Sequence, residues 1–560
     1  MRLTPSAHVD TFCRDRLPPL DQWPEFRFDL GDVAGYPERL NCAAELLGTP
    51  RADRPCLRGH TGQNGQNGRL WTYGEVEATT NQLANVLVDS GLVPGNRVLL
   101  RGPNNPWLAM SWLAVLKAGG VVVTTMALLR PKEIATIVEL TEPSLAICDH
   151  RFTGDLTAGA PALPTLIYGD DTPDGLTARC EVTPSSFCPI ETSAEDVAML
   201  APTSGTTGRP KITMHFHRDV LAVADTFAKH LIKPRADDVF TGTPPLGFTY
   251  GLGGLLLFPL RAGASTLLIE RATPGELADA IAEHGVTVLS TAPIAYRGLL
   301  AAGQPERLTS LRRCVSAGEH LPRTVWEEFH RATGIKIIDG IGSTEMLHIF
   351  VGSADDDIRA GSTGRTVPGY HATVLGDDGQ PVPDGQPGRL AVRGPTGCRY
   401  LSDPRQQTYV QDGWNITGDT YARDADGYYW FQARSDDMII SAGYNIAGPE
   451  VEEALLAHPD VLEVAVVGGP DPARGTIVEA FVVLRAGVDG DAAKVAELQA
   501  FAKKSIAPYK YPRAITFVAA LPKTISGKTQ RYRLRELAAK RDLLLERQGC
   551  TRSSRRPALV

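Results

Sequence analysis

Short runs of aliphatic and β-branched residues alternate with stretches of helical period through the first two thirds of the chain. Residues 97–101 (RVLLR) read as a strand, 107–118 as a helix ended by Gly119-Gly120, and 121–125 (VVVTT) as the next strand. The pattern repeats at 277–283, a helix stopped by Gly285, and at 286–290, a strand. Strands alternating with helices of this length predict parallel α/β sheets with crossover helices. Beyond about residue 360 the texture changes. Gly and Pro punctuate short strands at 372–375 and 388–393, with Asp377-Asp378-Gly379 between them, which predicts a small β-barrel-like subdomain. A second change comes at Asp436-Asp437. After it the pattern gives a helix (449–458), strands (461–468 and 479–484) and a long helix (491–506), a compact α+β unit. The expected division is 1–435, 436–546 and a disordered tail at 547–560, where Ser, Arg and Pro replace apolar residues.

Composition narrows the class. The chain has 560 residues, too many for one core, with 43% apolar and 22% charged residues. A net charge of −7 gives no basic excess of the kind a nucleic-acid surface needs. The nine cysteines are scattered, with no C-x-x-C pair, which argues against a disulfide framework or zinc site and for a reducing cytoplasm. The first residues lack an apolar core typical of a secretory leader, and apolar runs such as 252–260 are broken by Gly and Pro well short of the ~20 residues that span a bilayer. A cytoplasmic protein with no membrane and no nucleic-acid partner is expected.

The chemistry concentrates first at 203–211, TSGTTGRPK, which follows the apolar run 197–201. A strand feeding a glycine- and hydroxyl-rich loop suits phosphate. Gly205 and Gly208 allow backbone N–H groups to approach an anion, Thr203, Ser204, Thr206 and Thr207 add hydroxyl donors, and Lys211 adds charge. The spacing is not that of a Walker A loop, because Arg209-Pro210 separates the second glycine from the lysine.

Together with four later blocks, this loop resembles the adenylate-forming superfamily of acyl-CoA synthetases, adenylation domains and luciferases. The blocks are DGIGSTE at 339–345, TGD at 417–419, RSDD at 434–437 and PKTISGK at 522–528. The resemblance implies a large N-terminal domain that binds ATP and the acid, joined by a hinge at Asp436 to a small mobile C-terminal domain. It implies that Glu345 holds Mg²⁺, a hard cation that suits carboxylate and phosphate oxygens, and that Thr344 touches the α-phosphate. Asp419 would accept from both ribose hydroxyls, with Arg434 a second ribose contact and Phe431 beside them. Ala317, Gly318 and Glu319, with Asp339, Gly340, Ile341, Gly342 and Ser343, would complete the nucleotide pocket. Lys528 would enter from the small domain and bridge the carboxylate and the α-phosphate, with Lys528, Glu345, Thr344 and Lys211 as the catalytic set. After adenylation the small domain would rotate and bring Ser441, Ala442, Gly443 and Tyr444 to the CoA arm. One departure stands at Gln432-Ala433-Arg434, where many relatives carry Gly before the Arg.

Only residues 529–560 follow Lys528, too few for a fused carrier domain, so a free acceptor is expected, with CoA the default and Lys510 among the basic positions that would meet its phosphates. A stand-alone enzyme loading a separate carrier protein, and a medium-chain acyl-CoA ligase, are the alternatives. Residues 340–350 and 248–253 are similar to benzoate–CoA ligases, and 8–13, 36–42, 244–248 and 430–434 to the 2-aminobenzoate–CoA ligases within that group. Phe248, Thr249, Tyr250, His348 and Ile349 would then line a flat aryl pocket in which Gly318, Gly340 and Gly342 leave room. The expected partners are an aryl carboxylic acid, ATP and CoA, and the chain is expected to act as a monomer or homodimer.

Overall fold

A computed structural model of the chain describes residues 3–547 except 30–34, 49–50, 61–67, 171, 204–209, 435–436, 438, 442–443, 472–474, 507–509 and 525–527. The predicted α/β class is what it shows. Six strands form a first sheet in the order Thr165–Tyr168, Leu145–Asp149, Arg97–Gly102, Val121–Met126, Val197–Thr203 and Lys211–Phe216. Its pairings are parallel except the last, which turns back antiparallel across the loop 204–210. A second sheet of nine strands runs from Arg365–Thr366 through Ile349–Gly352, Ile337–Gly342, Arg313–Ser316, Val288–Thr291, Val239–Gly242 and Ser265–Leu268 to Pro55–Gly59 and Leu70–Thr72.

Helix Pro106–Lys117 explains how the two sheets share one core. Its sequence, PWLAMSWLAVLK, is apolar on every face, and every residue of it is buried. A helix of that kind must be covered all round, and it packs on strands of both sheets. Asn105 caps it by accepting Leu108 N–H at 2.9 Å. Its one charge, Lys117, is bonded to Glu77 and, at 2.8 Å, to Asn81. The preceding Asn104 reaches the other way. It accepts Leu246 N–H at 2.7 Å and donates to the Pro244 carbonyl at 3.0 Å. The end of a first-sheet strand thereby fixes the loop that leads into the second sheet's helix Thr249–Leu252.

The glycine- and proline-rich region after 360 folds as expected into a small antiparallel sheet of His371–Leu375, Pro387–Arg393, Trp414–Arg423, Val410–Gln411 and Tyr429–Arg434. The last unit has Val461–Asp471, Gly475–Leu484 and Ala514–Phe517 as a sheet, with helices Gly448–Leu456, Ala492–Ser505 and Arg531–Arg547. The hinge position Asp436 and the tail expected at 547–560 fall outside the described residues, apart from Arg547 itself. No described helix is long and apolar enough to cross a membrane. The described cysteines are all free, and among them only Cys188 is exposed.

Arg101 is the most demanding buried charge of the first sheet. It has no exposure and donates to the carbonyls of Phe152 (3.1 Å), Met126 (2.9 Å), Ala127 (2.9 Å) and Leu129 (3.0 Å). Replacing it with Met would strand those acceptors away from water. Arg101→Met is expected to destabilise the chain by roughly 3 kcal/mol, read as a lower denaturant midpoint at unchanged slope. An unaltered midpoint would show that the carbonyls find other donors.

Candidate functional site

The site begins on strand Lys211–Phe216, whose sequence KITMHF alternates. Ile212, Met214 and Phe216 pack into an apolar core, while Lys211, Thr213 and His215 face the other way. Chain 399–401 runs alongside, with Met214 N–H donated to the Arg399 carbonyl at 2.7 Å and Leu401 N–H to the Ile212 carbonyl at 2.9 Å. This pairing sets Tyr400 beside Lys211. Lys211 Nζ donates to Tyr400 Oη at 2.7 Å and lies 3.5 Å from Glu345 Oε1, and Tyr400 Oη donates to that same oxygen. Burial, with Glu345 next in importance, pushes the Tyr400 phenol far above its ordinary value, so it stays a proton donor. Tyr409 closes the group, its hydroxyl 3.1 Å from Ser343 Oγ. Both contacts fall on Oε1, and Oε2 accepts from none of the described residues. One free oxygen of a buried carboxylate beside a lysine fits a magnesium ion that takes its other ligands from water and phosphate. Thr203 sits opposite Lys211 in the pairing register. Ser204, Gly205, Thr206, Thr207 and Gly208 lie outside the described residues.

Glu345 is held by a strained turn. Leu347, buried and bulky, has φ +69°, a left-handed conformation that such a residue adopts only when its surroundings force it. Met346 N–H donates to Ser343 Oγ at 3.2 Å, Leu347 N–H to the Thr344 carbonyl at 3.1 Å, and Thr396 Oγ1 to the Met346 carbonyl at 2.8 Å. The turn sends Glu345 toward Lys211 and, three residues on, His348 into an aromatic box. The His348 ring is 4.6 Å from Phe258, 5.1 Å from Phe227 and 5.6 Å from Tyr250. The two π-helical segments Ala224–Ile232 and Gly253–Leu257 supply Phe227 and Gly253. A Cβ on Gly253 would sit 2.4 Å from His348 Cδ2. Neither ring nitrogen makes a well-formed hydrogen bond. Burial pushes the imidazole down to about 3, only partly offset by the Tyr250 carbonyl, so the ring is neutral at physiological pH. Tyr250 is anchored by its hydroxyl to the carbonyls of Val315 (2.9 Å) and Thr291 (3.1 Å). Thr249 is buried and Phe248 half-buried beside it. Ile349 is buried on the adjoining strand.

The three predicted pocket glycines differ in their surroundings. A Cβ on Gly340 would meet the Ile349 side chain at 2.7 Å, and one on Gly342 the His348 carbonyl oxygen at 2.6 Å. At both positions a side chain would collide with this chain's own atoms. Gly318 has open space around it, and its φ of +91° is what demands glycine.

The remaining predicted residues meet on one side of this centre. Asp419 and Arg434 are direct cross-strand partners. Phe431 stacks on His320 at 5.3 Å and meets Tyr421 edge-on at 5.4 Å. Burial, aided by Arg531, holds His320 down to about 4, so it stacks as a neutral ring. Ala317 is buried next to Gly318. Burial raises Glu319, while Lys528, Arg297, Lys523 and Arg531 pull it the other way, Lys528 most strongly. The predicted lysine of the last unit thus acts electrostatically on Glu319. It is presented by a hairpin in which Thr524 N–H donates to the Lys528 carbonyl at 2.7 Å and Lys528 N–H to Thr524 Oγ1 at 3.0 Å. Asp339 has a buried Oδ1 without a partner, and burial pushes its carboxyl well above the ordinary range against the pull of Gly340 N–H. Ile341 is half-buried beside it.

Comparison with known proteins agrees with this arrangement. The signature of the AMP-binding enzyme family matches residues 48–400, and that of the AMP-binding enzyme C-terminal domain matches residues 450–528. The chain belongs to the AMP-binding enzyme family. It is 34% identical to benzoate–CoA ligase of Thauera aromatica over 89% of this chain and 96% of that one. It is 33% identical to the mitochondrial acyl-coenzyme A synthetase ACSM3 of Mus musculus over 84% and 85%. Among solved structures it is similar to the anthranilate CoA ligase AuaEII in complex with anthranoyl-AMP, with a TM-score of 0.85 and 33% identity over 91% and 99% of the two chains. These likenesses place it in the adenylate-forming superfamily, on the benzoate–CoA ligase branch, and make it an AMP-forming acid–CoA ligase.

In this AMP-binding enzyme, Ser441 and Tyr444 of the predicted acceptor segment are paired in a two-stranded sheet of Ile439–Ser441 with Tyr444–Ile446. Ala442 and Gly443 lie outside the described residues. Lys510 donates to both oxygens of Glu450 at 2.6 Å. Sequence reading missed Tyr400, Tyr409 and His215. The polar alternation Lys211, Thr213, His215 was a usable signal for the last. Nothing local marks the tyrosines, which act across 189 and 66 positions. Tyr400→Phe is expected to lower the rate of acid-dependent ATP–pyrophosphate exchange about tenfold or more, as loss of a bond to a metal-holding carboxylate does, with melting temperature nearly unchanged. A variant exchanging at the wild-type rate would leave Tyr400 a packing residue.

Proposed function

We propose that this AMP-binding enzyme is an aryl carboxylate–CoA ligase, with 2-aminobenzoate or a close benzoate as its acid. The supporting observation is the aromatic box around a neutral His348 whose ring nitrogens make no well-formed hydrogen bond. A flat ring suits walls of Phe and Tyr, and a buried imidazole without a bond favours a ring substituent that supplies one. An ortho amine would donate to the bare nitrogen. The likeness to a ligase solved with anthranoyl-AMP supports the same acid.

Two half-reactions follow. A carboxylate oxygen of the acid attacks the α-phosphorus of ATP and pyrophosphate leaves. The CoA thiol then attacks the acyl carbon and AMP leaves. The loop from Thr203 to Gly208 holds the β- and γ-phosphates, Lys211 and Thr344 hold charge and orientation at the phosphates, and Asp419 with Arg434 takes the ribose. Phe431, Ala317, Gly318, Glu319 and the strand Asp339 to Ser343 enclose the base. Magnesium, when bound at Glu345, screens the phosphate charges. Lys528 brings its ammonium against the charge that builds at the α-phosphate, then leaves as the chain turns at Asp436 and the hairpin of Ser441, Ala442, Gly443 and Tyr444 arrives, with Lys510 toward the CoA phosphates. Free cysteines and the small soluble substrates suit a cytoplasmic enzyme.

AMP release with CoA present, measured on benzoate, 2-aminobenzoate, salicylate and octanoate, tests the acid. Turnover is expected to be greatest with 2-aminobenzoate, and activity with octanoate alone would favour the acyl-coenzyme A synthetase relatives instead. Adenylate formation that no CoA discharges would point to a carrier-protein acceptor. Lys528→Ala should slow adenylation greatly while sparing thioester formation from supplied aryl-AMP. Equal loss in both halves would sink the two-orientation mechanism.

A further inference from the structure

Beneath the turn that carries Glu345 lies a buried row of polar groups that the steps above leave unused. His215 Nε2 is 2.8 Å from the Thr344 carbonyl and 3.2 Å from Thr213 Oγ1. A carbonyl only accepts, so this nitrogen carries the ring proton. The same carbonyl receives Leu347 N–H at 3.1 Å. Both of its lone pairs thus hold a turn whose backbone is forced at Leu347 to φ +69°. On the far side of the ring, Nδ1 lies 3.9 Å from Asp219 Oδ2. Asp219 is bonded to Arg399, and neither side chain is exposed to water. Asp219 also accepts Phe216 N–H at 2.9 Å, and Arg399 Nε donates to the Met214 carbonyl at 3.2 Å. The ring is therefore set by strand Lys211–Phe216, by the first turn of helix His217–Val223 and by the chain bearing Tyr400.

This row is more than filler. An apolar ring would fill the same space without an ion pair beneath it. Buried charges are retained at a cost in desolvation, and here the pair packs on the Nδ1 side of the imidazole while holding the strand that carries it, through Phe216 N–H and the Met214 carbonyl. That imidazole touches the backbone between the predicted phosphate contact Thr344 and the predicted metal holder Glu345.

We propose that His215 is a positioning residue for adenylation, fixing the Ser343–Leu347 turn through the Thr344 carbonyl so that the Thr344 hydroxyl and the Glu345 carboxylate meet the nucleotide and its magnesium together. This rests on the nucleotide and metal roles proposed above. His215 touches no substrate itself. Removing its donor lets the turn relax, and the loss is felt where magnesium and phosphate must be held at once.

The test compares His215→Phe, which keeps a ring and removes the donor, with His215→Gln, which keeps an N–H donor. A non-hydrolysable ATP analogue is titrated into each with and without magnesium, with no acid present. His215→Phe is expected to lose about 10- to 100-fold in affinity with magnesium and to match the wild type without it, and His215→Gln to recover most of the loss. The Phe variant should slow adenylation yet keep thioester formation from supplied aryl-AMP. If His215→Phe does not fold, Asp219→Asn carries the comparison, with a smaller loss of the same magnesium-dependent kind. Unchanged magnesium-dependent affinity, a Gln variant no better than Phe, or equal loss in both half-reactions would overturn the role. A wild-type chain that binds no magnesium–nucleotide would instead remove the function proposed above, and the positioning role with it.

Discussion

The structure turns on a carboxylate taken out of water. Glu345 is buried, and Lys211 and the Tyr400 hydroxyl converge on one of its oxygens, the pairing that a buried carboxylate needs. Lys211 belongs to the antiparallel edge of the first sheet, Glu345 follows a strand of the second, and Tyr400 lies on the connection to the small β sheet. Three separately folded pieces must therefore be in place before this one charge is satisfied. A site with that requirement is assembled by the tertiary fold and comes apart with it.

The turn after Glu345 couples two kinds of recognition. Its left-handed Leu347 points the acidic residue toward the lysine and His348 toward the aromatic box, so polar and aryl sides of the centre are three residues apart. Strain of this kind persists only where neighbours over-determine the backbone. Here they do, through Ser343, Thr396 and His215. Under the function proposed above, the same turn would link the seating of the acid to the phosphate side.

The last unit contributes charge of the opposite sign. Lys523, Lys528 and Arg531 all bear on Glu319 of the large unit, and Lys528 is the strongest.

Much of this was legible along the chain. Helix Pro106–Lys117 was predicted from its unbroken apolar run within a residue of its ends, because a helix buried on every face has no polar stripe to confuse its limits. The block at 203–211, the acidic block ending at Glu345 and the pair Asp419 and Arg434 were singled out through their resemblance to one family, a membership that the comparisons bear out. Cross-strand register then put Asp419 opposite Arg434. The close packing at the glycines 340 and 342 was not legible, since sequence shows a missing side chain but not which atoms stand beside it. Tyr400 and the row His215, Asp219 and Arg399 were out of reach for a different reason. Their partners are 189, 129 and 180 positions away, and a contact between distant segments leaves no periodicity in either. The sequence alone determined the elements, their order and the ligand-bearing blocks, because propensity, period and loop chemistry act over a few residues. Only the tertiary structure decided which charges share a carboxylate, which carbonyl holds a strained turn and which imidazole stands in the aromatic box, because those are fixed by packing between sheets.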